Sequence, residues 1–230
     1  MISLKRVRVD QEIISEPGYR IDPDTDPVFL DGKPVKPPNH FRTVLLNKPS
    51  GVLTTVRDDR DRKTVIDLIP LTERLFPVGR LDLDTTGVLL LTNDGDLAYR
   101  LTHPKYEIEK VYEAWVEGLI DERICQKFKE GISIDPGVIV SGEVRILKKE
   151  RNRSRLEIRI HEGKKRQIKR MMDAVHHPVI SLKRVCFAGL TVQKLKAGEW
   201  RELTSVEVRR LYELTGLEMK VERQTGNGER

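Results

Sequence analysis

The chain has 230 residues, of which 34% are charged and 38% hydrophobic, and its net charge is +6. That length holds one large domain, or one with a small appendage, and is enough to bury a core without staples. Two distant cysteines, Cys125 and Cys186, exclude a disulfide framework and a four-cysteine zinc site. No run approaches the roughly 18 apolar residues of a membrane span, so the expected setting is a reducing cytosol.

Residues 1–38 read as a small module and linker. Lys5-Arg6-Val7-Arg8-Val9-Asp10 alternates as a short strand. Glu16-Pro17-Gly18-Tyr19 marks a turn, and Val28-Phe29-Leu30 runs into a second turn at Asp31-Gly32. Three prolines within Lys33–Asn39 predict a semi-rigid linker. Two or three short strands without a helix bury too little surface to stand alone, so the module is expected to lean on its neighbour.

A main domain follows over residues 39–216, with a polar tail over 217–230. Val44-Leu45-Leu46 predicts an apolar strand ending in the rigid turn Asn47-Lys48-Pro49-Ser50-Gly51. Thr64 is placed to cap a short helix over Val65–Ile69. Val88–Leu91 predicts a strand buried on both faces, and Asp94 or Asp96 a helix running to about Leu101. Lys110–Gly118 alternates as a strand, Asp121–Glu130 has helical spacing, and Leu156, Ile158 and Ile160 mark a half-buried strand. Gln167–His176 predicts a helix with Ile168, Met171, Met172 and Val175 on one side. A strand over Val179–Val185 and a helix over Val206–Leu214 close the domain. Strands and helices intersperse without strict βαβ alternation, which predicts an α+β domain with a mixed, largely antiparallel sheet.

Common nucleotide and metalloprotease motifs are absent. His176 and His177 are adjacent, hence about 100° apart on a helix and a poor metal pair; His103, before Pro104, reads as a helix-end residue. Three segments combine turn chemistry with ionisable groups. Gly79-Arg80-Leu81-Asp82-Leu83-Asp84-Thr85-Thr86-Gly87 lies between apolar strands, with a glycine at each end to turn the chain. Its aspartates either project into a cleft or cap an ordinary connection. In Lys110-Val111-Tyr112, strand alternation puts the cation and the ring on one face, which suits stacking on a base as well as core packing. Glu162-Gly163-Lys164-Lys165-Arg166-Gln167-Ile168-Lys169-Arg170 carries five basic residues against one acidic, fit for phosphates or simply a solvated face. Spacing and charge alone thus support an RNA- or nucleotide-facing domain.

The Gly79–Asp82 stretch, followed by Thr86-Gly87-Val88-Leu89-Leu90-Leu91-Thr92-Asn93-Asp94-Gly95, resembles the central motif of bacterial ribosomal RNA pseudouridine synthases. The likeness is to the group typified by the small-subunit uridine synthase and its large-subunit relatives. Leu46–Val52, Glu109–Tyr112, Glu162–Met171, Leu182-Lys183-Arg184 and Gly198-Glu199-Trp200-Arg201 resemble the family's other motifs, in order. Residues 5–35 are similar to the second half of the alpha-L RNA-binding motif of ribosomal proteins, without the two helices that normally precede it.

The resemblance implies the pseudouridine synthase fold and the isomerisation of a uridine within RNA, with no cofactor and no metal. It implies that Asp82 is the essential carboxylate, acting on the ribose as nucleophile or as base. Tyr112 is implied to pack on the target uracil. Lys169 matches a basic position expected to pair with Asp82 and keep it ionised. Arg80 and Lys48 are expected to hold phosphates or the loop around the target, with Arg166 and Gln167 also at the substrate. Asp84 is given no catalytic role, only capping or loop hydrogen bonding. Base flipping is expected. The implied partner is ribosomal RNA, leaning to 23S over 16S, or a pre-ribosomal particle, met by a monomer away from membranes. A non-catalytic RNA-binding or assembly protein on the same scaffold is the alternative, and glycosidic hydrolysis a third reading without supporting motifs.

Overall fold

The computed structural model describes residues 1–22, 25–35 and 40–218. The chain divides near residue 40 into two compact units. The N-terminal unit holds β1 (Val7–Val9), β2 (Glu12–Ile14), β3 (Val28–Leu30) and β4 (Lys33–Val35). They form one antiparallel sheet in the order β2-β1-β3-β4. Asp31 and Gly32 both have positive φ, at 52° and 76°, the backbone that a two-residue hairpin turn requires. The expected linker is therefore in part a strand. Pro34 is tolerated in β4 because an edge strand leaves no neighbour waiting for the missing N–H. The rest of that proline-rich stretch, residues 36–39, and the tail from residue 219 lie outside the described residues.

The second unit is built on one large sheet. In chain order its elements begin with β5 (Thr43–Lys48), β6 (Phe76–Pro77), β7 (Thr86–Thr92), α1 (Gly95–Thr102) and β8 (Lys110–Glu117). They continue with α2 (Glu122–Glu130), β9 (Ile132–Asp135), β10 (Val138–Val140), β11 (Glu143–Glu150) and β12 (Arg153–Ile160). The last are α3 (Gln167–Ala174), β13 (Val179–Phe187), β14 (Leu190–Thr191), β15 (Trp200–Glu202) and α4 (Ser205–Thr215). The main sheet runs β11-β12-β8-β13-β7-β5-β15, with β14 beside β13 and β6 beside β7, while β9 and β10 form a separate hairpin. The β7–β13 pair is parallel and the other strand pairs of this sheet are antiparallel. The chain adopts the expected α+β architecture with a mixed, largely antiparallel sheet.

Apolar layers cover both faces of the sheet. Leu46, Leu89 and Leu91 pack in one cluster with Phe128 of α2 and Ile168, Met171 and Met172 of α3. Leu45, Val88 and Leu90 belong to the other, with Leu97 and Leu101 of α1 and Leu211 of α4. Burial on two sides explains why β5 and β7 read as continuous apolar runs rather than alternating ones.

Local capping differs from expectation at one place. The turn at Ile66–Leu68 forms, but Asp67 accepts hydrogen bonds from the Thr64 N–H and hydroxyl, at 2.7 and 3.0 Å, instead of Thr64 capping the helix. α3 stops at Ala174, two residues early, where His176 takes a φ of 62°. His177 Nδ1 lies 2.6 Å from the Glu117 carbonyl oxygen. Asp94 does cap α1, accepting from the N–H groups of Asp96 and Leu97.

Candidate active site

The site grows from the connection between β6 and β7. Gly79 opens it with a φ of 72° and Gly87 follows it with a φ of 102°. A Cβ on Gly87 would lie 2.1 Å from the Arg184 carbonyl oxygen, so only glycine allows β7 to approach β13 this closely. Between the glycines the loop is tied down through its main chain. Lys48, at the end of β5, is fully buried beneath it. Its Nζ lies 3.0–3.3 Å from the carbonyl oxygens of Pro49, Asp82, Leu83 and Thr85. Thr54 Oγ1 donates to the Leu81 carbonyl at 2.8 Å. Burial pushes the Lys48 ammonium down to about 8, against the opposing charges of Asp84 and Asp82. Lys48 thus holds the loop and cannot reach a phosphate, which corrects that half of the expectation.

Asp82 lines a cleft of about 170 Å³, several times the roughly 30 Å³ share of one water molecule. Tyr112 of β8 and Lys169 of α3 line the same cleft. Lys169 Nζ lies 3.7 Å from Asp82 Oδ2 but only 2.6 and 2.7 Å from the two Asp84 oxygens. The expected pair with Asp82 is therefore an ion pair without a hydrogen bond, and Lys169 donates to Asp84 instead. That hydrogen bond holds the Asp84 carboxyl below its ordinary value, while its side chain stays 68% exposed at the rim. Asp84 was expected only to cap the loop; its part in fixing Lys169 is legible only when α3 is folded against that loop.

The opposite wall comes from the turn into α3. Arg166 takes a left-handed φ of 51° just before the helix. Gln167 lines the cleft but is 3% exposed, its amide accepting from the Lys164 N–H and donating to Glu162. It shapes this turn, where a substrate contact was expected. Arg170 points away, to the Ile134 carbonyl and Asp135 of β9. Arg80, Lys164 and Arg166 stand along the cleft, and Lys110 and Arg184 line its inner part. With Lys169, six cations line the cleft against the single carboxylate of Asp82. A polyanion fits such a lining, and a carboxylate held in it can attack or take a proton from a sugar carbon. Among the described residues no cluster of His, Cys, Asp and Glu could hold a metal ion.

Comparison with known proteins identifies the family. Residues 42–174 match the family described as RNA pseudouridylate synthase. A protein of Aquifex aeolicus named as an RNA pseudouridine synthase is 43% identical over 214 residues, covering 92% of this chain and 86% of its own. The ribosomal large subunit pseudouridine synthase B of Bacillus subtilis is 39% identical over 219 residues, covering 93% and 88%. A solved pseudouridylate synthase superposes with a TM-score of 0.71 at 28% identity, covering 91% of this chain and 90% of its own. This chain belongs to the RNA pseudouridylate synthase family and isomerises uridine to pseudouridine in RNA.

Proposed function

We propose that the substrate is ribosomal RNA of the large subunit and that Asp82 performs the chemistry on the ribose of one flipped uridine. The observation that carries this reading is the placement of Asp82. It is a carboxylate on a main-chain-pinned loop that shares a cleft of cations with Tyr112. The target N1–C1′ bond is hidden in stacked RNA, so the nucleotide leaves its stack to reach the loop. Tyr112, 8% exposed, offers its ring to the uracil. Lys169 keeps positive charge 3.7 Å from the Asp82 carboxylate. Arg80 and Arg166, both exposed, meet the phosphates of the strand. The large-subunit assignment is supported by the 39% identity to the Bacillus subtilis enzyme. The N-terminal unit resembles part of the alpha-L RNA-binding motif and sets Arg8 over Phe29, 4.4 Å from the ring centre, which supports a role in holding RNA.

Two measurements test this. Pseudouridine mapping of rRNA from cells lacking the protein is expected to show one lost site in 23S rRNA; a lost site in 16S rRNA would move the target to the small subunit. Replacing Asp82 by Asn keeps size and polarity and removes the charge. RNA affinity is expected to stay, since phosphates meet Lys and Arg, while conversion falls below detection. Undiminished conversion would take the catalytic role away from Asp82.

A further inference from the structure

Two cations of the cleft have no work in the mechanism above. Lys110 is 7% exposed and Arg184 3%. Lys110 Nζ donates to the carbonyls of Ile108 and His161, at 2.6 and 3.1 Å. Arg184 Nε donates to the Val88 carbonyl at 2.7 Å, and its guanidinium lies 4.6 Å from the centre of the Phe187 ring. Arg184 Nη2 is buried without a hydrogen-bond partner, as is Oγ1 of Thr85 at the end of the Asp82 loop. Neither cation forms an ion pair among the described residues. Glu162, whose charge reaches Lys110, is held by Lys164 at 2.5 Å and by Gln167 at 3.1 Å. Burying two unpaired positive charges is costly, and a fold carries that cost when an opposite charge forms beside them.

Their position indicates which charge that is. Lys110 precedes Tyr112 by two residues on β8, and Arg184 stands opposite Tyr112 on β13. A nucleotide entering base first leaves its phosphates with Arg80 and Arg166 at the rim and brings the base to this inner wall. When N1–C1′ breaks, the bonding electrons go to N1, and the uracil becomes an anion with charge spread onto its carbonyl oxygens. C1′ is taken by the Asp82 carboxylate, or C2′ gives a proton to it. After the ring turns, C5 bonds to C1′ and Asp82 is released, or returns the proton to C2′. C5 then loses its proton and N1 gains one, so the composition of uridine is unchanged.

We propose that Lys110 and Arg184 form an electrostatic wall that stabilises the departing uracil anion. This rests on the reading that the target base packs at Tyr112. Donors fixed in a dry site where charge develops act on the transition state more than on the bound substrate. The wall therefore affects turnover, whereas the rim cations affect affinity.

The test uses the full chain with unmodified 16S and 23S rRNA transcripts. Single-turnover conversion is measured beside RNA affinity across a salt series. Lys110→Met keeps the stem and removes the charge; conversion is expected to slow about 100-fold, with affinity and its salt slope changed by less than about twofold. Lys110→Arg restores the charge and is expected to recover most of the rate. If Lys110→Met fails to melt cooperatively, Arg184→Gln decides, since it removes the charge and keeps a side-chain donor near the Val88 carbonyl; at least about tenfold slower conversion at unchanged affinity supports the wall. An unchanged rate overturns it. So does weaker binding with a salt slope smaller by about one, the mark of a phosphate contact. No conversion by the unmutated protein overturns both this inference and the assignment to ribosomal RNA, whereas normal conversion with silent variants overturns the wall alone.

Discussion

Asp82 and Asp84 are two residues apart yet differ in what they can do. Asp82 faces the cleft, and Asp84 accepts the short hydrogen bonds of Lys169 at its rim. Replacing Asp84 by Asn removes the charge that holds Lys169 outward. Lys169 is then free to move onto Asp82 and bind the carboxylate directly, so conversion is expected to slow by roughly tenfold, with full RNA affinity. Equal rates for the Asn variant and the unmutated chain would deny Asp84 that positioning role. Lys48 makes a different prediction. Lys48→Met strands main-chain carbonyls under the loop, with an expected loss of about 1–3 kcal/mol in stability, read by denaturant unfolding, together with a large loss of turnover. Both Lys48 and Lys110 are pushed down to about 8, chiefly by burial. Their folded values lie below the unfolded value of about 10.4, so losing these protons favours folding, and stability gains from them between about 8 and 10.4. Turnover needs both charges and is expected to fall through about pH 8, opposite in sign to the stability trend. A flat pH–rate profile from 7 to 9 would contradict this.

At the scale of elements, α4 shows how a closing helix is anchored. Thr204 and Glu207 form a capping box, and Arg201 pairs with Glu207 at 2.6 and 2.7 Å. The hydrogen bonds from Arg201 and, after them, from Thr204 hold the Glu207 carboxyl down at about 2, against the upward push of burial. Its contribution is present above the ordinary value of about 4.3 and is lost as pH falls toward about 2. Thr204→Ala is expected to cost about 1 kcal/mol, or roughly 2–4 °C in melting temperature. Elements such as α4, β5 and β7 were legible because their signals are local: a cap, a periodicity, an apolar run. The hairpin of β9 and β10 and the strand β11 were not read. β11 is Glu-Val-Arg-Ile-Leu-Lys-Lys-Glu, and five charged residues in eight suit an edge strand that resists further pairing but mask its alternation. In the site, Asp82, Tyr112 and Lys169 could be placed through motif likeness. The grip of Lys48 on the loop and the Lys169–Asp84 bond could not, because they join residues 34 to 85 positions apart.

For the whole molecule, the net charge of +6 and the six cations of the cleft make RNA affinity a function of salt. On logarithmic axes, affinity is expected to fall with salt at a slope of about 0.7 per single-stranded phosphate neutralised. A chain beginning at His40 is expected to melt cooperatively and to bind RNA more weakly; loss of its cooperative melting would make residues 1–39 part of the second unit's core. The sheet order adds a consequence for how the enzyme comes into being. β7 and β8 are neighbours in sequence, yet β13 lies between them, paired in parallel with one and antiparallel with the other. During synthesis the chain carries Asp82 and Tyr112 well before it carries β13, the strand between β7 and β8. A nascent chain ending before Val179 holds the motif residues without the scaffold, and contacts this distant in sequence form slowly. A product truncated before Val179 is therefore expected to give no conversion, read as pseudouridine formed in an rRNA transcript, since β7 and β8 then lack the strand that joins them.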